Sequence, residues 1–131
     1  MQVDGAMDDW DHGRTWYHGS PERLASIRPG SSITQNRALA EAFSHRPGLV
    51  SVSDDELIRH NGLLPGLLYA IAEEVGPADV CPHPHTTMVD LWEWVTERDL
   101  RVCLTEPTTV RAEDLLTEAE VTELRRRAAC C

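Results

Sequence analysis

The stretch Thr15-Trp16-Tyr17-His18-Gly19-Ser20, closed by Pro21, constrains this chain more than any other. Thr, Trp and Tyr favour a strand, and Gly-Ser-Pro ends a strand at once. Ser20 is suited to cap a helix and Pro21 to open one, so a short helix is expected over Pro21–Ile27. His18 then stands at a strand end, beside a glycine whose backbone a ligand can approach closely. Strand-end loops commonly carry function. The alternative is a half-buried strand histidine bonded to a neighbouring carbonyl.

Downstream, Arg28-Pro29-Gly30 makes a turn and 31–34 a short strand. From Gln35 the period changes, and Ala38, Leu39, Ala42 and Phe43 share one helical face, with Asn36 or Thr34 as cap. That helix ends near Arg46-Pro47-Gly48. Residues 49–53 alternate as a half-buried strand and Asp54-Asp55 turns the chain. Residues 57–60 pair back, with a tight turn at Asn61-Gly62. The apolar run 66–72, between Pro65 and Gly76-Pro77, reads as a central strand. Pro82-His83-Pro84-His85 reads as a loop, because proline disrupts ladders and helix interiors alike. Residues 91–96 and 100–104 read as strands. Thr117-Glu118-Ala119-Glu120 is a capping box that opens a C-terminal helix, with Val121, Leu124 and Ala128 as its apolar stripe against a sheet. Residues 1–13, with four aspartates and two glycines, form a flexible leader or a segment that docks through Trp10. Residues 14–131 form one domain. The expected class is α+β, mainly antiparallel β, with two short helices early and one late.

The net charge of -10 and the complete absence of lysine argue against a track for phosphate backbones. A cationic or neutral partner suits this charge better. No run approaches the ~18 apolar residues of a membrane span, so a cytoplasmic monomer without a membrane partner is expected. Cys81, Cys103 and the terminal Cys130-Cys131 show no disulfide framework, which fits a reducing compartment. The terminal pair reads as an exposed tail.

With these strands in place, the order Tyr17-His18-Gly19-Ser20, then Ser32-Ile33-Thr34 leading into the helix Ala38–Phe43, then Glu93-Trp94-Val95 resembles the ADP-ribosyltransferase fold. The likeness is to its histidine-type branch, which includes poly(ADP-ribose) polymerases and small rifamycin-modifying transferases. It spans most of residues 15–104. It implies a split antiparallel sheet with short flanking helices, and NAD as substrate. Under it, His18 binds a ribose hydroxyl, Gly19 offers its backbone to the nicotinamide carboxamide, and Glu93 binds the nicotinamide-ribose 2′-hydroxyl. Ser20, Arg28, Ser32, Thr34 and Tyr69 join His18 and Gly19 as cofactor-binding candidates. His18 and Glu93 are the catalytic candidates. The branch usually carries a tyrosine on the second strand, where this chain has Ser31-Ser32-Ile33-Thr34-Gln35. Thr34 either binds nicotinamide or caps the helix; Tyr69 either supplies the missing ring or belongs to the core. The acceptor of ADP-ribose is expected to be a small molecule, with protein or nucleobase as alternatives. His45, His60 and residues 82–87 are candidates for its rim.

Other readings stay open. Glu93, between Trp92 and Trp94, is the outward member of an alternating strand if both tryptophans point inward. The chain can be an NAD hydrolase toxin or an inactive member of the fold that only binds. Cys81, His83 and His85, with His60 across a turn, offer thiolate and imidazole of the kind zinc prefers, although the alternate prolines splay the segment.

Overall fold

The computed structural model describes residues 10–84 and 91–129. Among them the chain forms β1 (Tyr17–Ser20), β2 (Ser26–Ile27), β3 (Ser32–Ile33), α1 (Arg37–Phe43), β4 (Val50–Val52), β5 (Ile58–His60), β6 (Gly66–Ile71), β7 (Val80–Pro82), β8 (Trp94–Thr96), β9 (Leu100–Thr108), a 3-10 turn (Ala112–Asp114) and α2 (Glu118–Ala129). The pairings between these strands are antiparallel, in sheets ordered β1-β6-β9-β2, β3-β8-β7 and β4-β5. The class is therefore α+β, mostly antiparallel sheet with short helices. The apolar run of β6 lies between β1 and β9, as its composition required.

The two larger sheets meet at one reciprocal pair: Tyr17 N–H donates to Thr34 O at 2.7 Å, and Thr34 N–H to Tyr17 O at 3.0 Å. Beyond that pair β1 follows β6 and β3 follows β8. The seam between them has His18 on one side and Ser32 on the other.

Tryptophan dominates the core around this seam. Trp94 is fully buried and meets Trp16 edge-on at 5.3 Å and Trp10 at 5.2 Å. Its indole N–H donates to Leu91 O, and that of Trp16 to His12 O, so neither ring leaves a polar atom unmatched. Residues 10–13 thus dock on the domain through Trp10. Truncating Trp94 to alanine is expected to cost roughly 3–5 kcal/mol.

Several local expectations are corrected. Residues 21–27 form no helix: Ser20 Oγ accepts the Glu22 N–H and closes a turn, and Ile27 is buried by pairing with Leu100. A helix that short has too few hydrogen bonds to offset nucleation without an apolar face to bury. Pro82 belongs to β7, an edge strand, where a missing N–H is tolerated. Asn61-Gly62 is not a hairpin turn; Asn61 Oδ1 accepts from Gly48 and Leu49 N–H, and a Cβ on Gly62 would come within 2.6 Å of His45 O. β8 begins at Trp94 rather than Leu91, which has a left-handed backbone (φ 67°). β9 runs on to Thr108 because its second half completes the ladder with β6.

The capping box forms as expected: Thr117 N–H donates to Glu120 Oε1 at 2.8 Å and Glu120 N–H to Thr117 Oγ1 at 3.1 Å. Glu120 also pairs with Arg59 of β5, which ties α2 to the β4-β5 hairpin. Among the described residues no helix is long and apolar enough to cross a membrane.

Candidate functional site

Alternation along β1 sets the geometry. Tyr17 and Gly19 face α1: the Arg37 guanidinium lies 5.9 Å from the Tyr17 ring centre, and a Cβ on Gly19 would fall 1.9 Å from Ala40 O. Glycine is needed at 19 because the helix backbone lies against it. His18 points to the opposite face, its ring 6.5 Å from that of Tyr69, its cross-strand partner.

His18 Nδ1 lies 2.8 Å from Ser32 O. A carbonyl only accepts, so Nδ1 carries the proton and Nε2 of the neutral ring keeps a lone pair. Burial pushes the His18 pKa below its ordinary value of 6.5, only partly offset by the bond to Ser32. At neutral pH this imidazole is an uncharged acceptor.

Ser32 uses its other end on an acid: its Oγ donates to Glu93 Oε2 at 3.1 Å. Glu93 directly precedes β8 and its side chain is 14 % exposed. Its backbone carbonyl accepts from His83 N–H at 2.9 Å, and His83 Nε2 stands 4.0 Å from Oε2. One serine therefore fixes the imidazole through its backbone and the carboxylate through its side chain. The antiparallel register of β3 on β8 makes this possible, since Ser32 faces Val95 and Ile33 faces Trp94.

The other candidates have structural work. Ser20 is buried, its hydroxyl engaged by the Glu22 N–H. Thr34 is buried and its Oγ1 accepts the Asn36 N–H, while Asn36 caps α1 through the Leu39 N–H. Tyr69 is 2 % exposed; its hydroxyl donates to Glu22 O at 2.7 Å and accepts from Leu24 N–H at 2.9 Å. Arg28 is exposed, and its carbonyl is what the fold uses, accepting from Ser31 Oγ and Thr96 Oγ1. The structure gathers His18, Ser32 and Glu93, with Tyr69 behind the imidazole.

Among the described residues no group of three or more His, Cys, Asp or Glu is placed to hold a metal ion. Burial pushes the Cys81 thiol pKa up, which disfavours the thiolate that a metal needs. His60 stacks on His45 instead of facing Cys81 and His83, and His85 lies outside the described residues. Cys130 and Cys131 lie outside them too.

The double contact of Ser32 and the nearness of His83 to Glu93 had no signal in local spacing, because both depend on strand pairing across the chain. Clefts among the described residues lie elsewhere, including one of 580 Å³ between residues 12–16 and 71–77 and one of 470 Å³ on the outer face of α1. Comparison with protein-family models, with curated proteins and with solved structures finds nothing that matches this chain.

Proposed function

We propose that the chain is an NAD-dependent ADP-ribosyltransferase with an ADP-ribosyltransferase-like fold, acting at the seam between β1 and β3. The observation that carries this reading is the chain of contacts from the His18 ring through Ser32 to the Glu93 carboxylate. A neutral imidazole presents an acceptor to a ribose hydroxyl, and a fixed carboxylate stands where a second hydroxyl and a developing positive charge can meet it.

The chemistry makes modest demands. Breaking the bond from C1′ to the pyridinium nitrogen sends its electron pair into the ring, and neutral nicotinamide departs without a general acid. The ribose gains oxocarbenium character, which an oriented carboxylate stabilises more than it does the ground state. A nucleophile then bonds to C1′ and loses its proton. The acceptor we favour is a small molecule; protein or nucleobase acceptors come next. With water as acceptor the same site is an NAD hydrolase.

One observation favours a second reading, a domain that binds NAD without cleaving it. The Tyr69 phenol is tied to the 22–24 backbone at both of its hydrogen-bonding positions, and β3 carries no aromatic residue to stack on nicotinamide. Incubation with NAD, following free nicotinamide by chromatography with and without a panel of acceptors, separates these readings. Release that rises with an acceptor supports transfer, and release independent of acceptors supports hydrolysis. Binding without release supports the inactive module, and neither binding nor release refutes the NAD assignment.

A further inference from the structure

The stripe Ala38, Glu41 and Ala42 of α1, continued by His45 just past its end, faces away from β1 and walls the 470 Å³ cleft, which β5, the end of β9 and the 3-10 turn complete. This space is separate from the seam, because α1 lies on one face of β1 and His18 on the other. Its floor is a pair of imidazoles: His45 and His60 are each 3 % exposed and stack at 5.3 Å with 19° between their planes.

Each ring has one nitrogen engaged by backbone. His45 Nδ1 lies 2.7 Å from Leu64 O, so in the neutral ring Nδ1 is protonated and Nε2 is an acceptor. His60 Nδ1 accepts the Gly62 N–H at 3.0 Å, so its proton sits on Nε2. Neither Nε2 has a hydrogen-bond partner among the described residues. Neither nitrogen is among the buried side-chain atoms left without a partner, so an acceptor and a donor open side by side on the cleft, where a ligand can meet both.

The walls indicate the ligand's charge. Glu41, Glu56, Glu106 and Asp114 line the cleft against a single guanidinium, Arg111, which pairs with Asp114 at 2.8 Å. Arg37 bridges Glu41 and Glu106. Glu56 has no ion pair among the described residues. A cleft with this balance attracts cations and repels anions.

We propose that this cleft is a binding site for a small organic cation carrying a hydrogen-bond acceptor beside its charge, such as a protonated amine next to a hydroxyl. The ammonium donates to His45 Nε2 and to the carboxylates, and the neighbouring oxygen accepts from His60 Nε2–H. The site does not depend on NAD chemistry.

The test uses protonated glucosamine as probe, with N-acetylglucosamine as the matched neutral control, and follows the imidazole nitrogens by long-range 1H–15N NMR. Saturable shifts of the His45 and His60 nitrogens with glucosamine, and none with the acetylated sugar, are expected. No shift at about 20 mM glucosamine, a range that covers weak binding, overturns the proposal. Equal shifts from the neutral sugar overturn it as well. Glu56→Gln changes an exposed residue that the fold does not lean on, and is expected to weaken glucosamine binding about threefold to fivefold. Unchanged affinity in that variant removes the charge recognition on which the proposal stands.

Discussion

In the seam between β1 and β3, His18 gives its Nδ1 proton to a carbonyl on another strand; at the end of α1, His45 gives its own to Leu64. The two imidazoles are held in the same tautomer by the same device, and both keep Nε2 as an acceptor. Their surroundings differ. Beside His18 stands one carboxylate, Glu93, aimed by a serine that also holds the histidine. Around His45 stand four carboxylates on separate elements and a second imidazole. The first arrangement suits positive charge that appears at a single atom during a reaction. The second suits charge that a ligand already carries. The tautomer gives each ring its acceptor, and under the two proposals the spread of acid around it decides what that acceptor meets.

Substitutions can break this comparison apart. The largest effect is expected at Glu93→Gln, which keeps the fold and NAD binding but lowers nicotinamide release by roughly 100- to 1000-fold, the scale for removing one transition-state electrostatic contact. Unchanged turnover measured by chromatography takes Glu93 out of the reaction. Gly19→Ala forces a methyl group into the α1 backbone that both sites share, and is expected to destabilise the fold by roughly 1–3 kcal/mol in a denaturant titration. Both activities should then decline together, whereas damage to NAD binding at full stability would mean that Gly19 serves the ligand directly.

His18→Ala acts on one region only. It should weaken NAD binding about tenfold, the scale of one hydrogen bond lost from a buried site, and leave glucosamine binding unchanged in calorimetry. Ser32→Ala keeps the carbonyl that holds His18 but removes one of the contacts that hold Glu93, so nicotinamide release should fall about threefold to tenfold with little change in NAD affinity. An equal loss in affinity would place Ser32 against the ligand.

The smallest effect is on pH dependence. Burial lowers the His18 pKa, so the unfolded chain takes up a proton near 6.5 before the folded one does. Stability is then complete above about pH 6.5 and falls as the pH drops through the lower folded value, and His60, lowered by burial and by His45, adds in the same direction. Melting temperatures that rise on acidification below pH 6.5 would contradict this sign. NAD affinity should follow the same window, since a protonated Nε2 no longer accepts.

Much of the frame could be read from local sequence. The capping box of α2, the Asn36 cap, the central apolar strand β6 and the β4-β5 hairpin rest on signals a few residues long. The failures have physical causes. Residues 21–27 carried helix signals at Ser20 and Pro21, but the burial of Ile27 against Leu100 outweighed them. Proline argues against a ladder at Pro82, and the edge position that tolerates it cannot be read from the residue itself. In the seam, His18 and Glu93 were legible as residue types, and the resemblance paired them. Ser32 as their common support was not, since it required the β3-β8 register. The His45-His60 stack left no trace in spacing, because it forms where the chain leaving α1 meets the end of β5.

The most direct measurement is a titration of the wild-type protein with NAD, following the ring nitrogens of His18 with those of His45 and His60 as internal controls. A saturable shift at His18 Nε2, with the other two rings unmoved, is the result expected if the seam holds the ribose of NAD. A silent His18, or a shift confined to the His45-His60 pair, would contradict it.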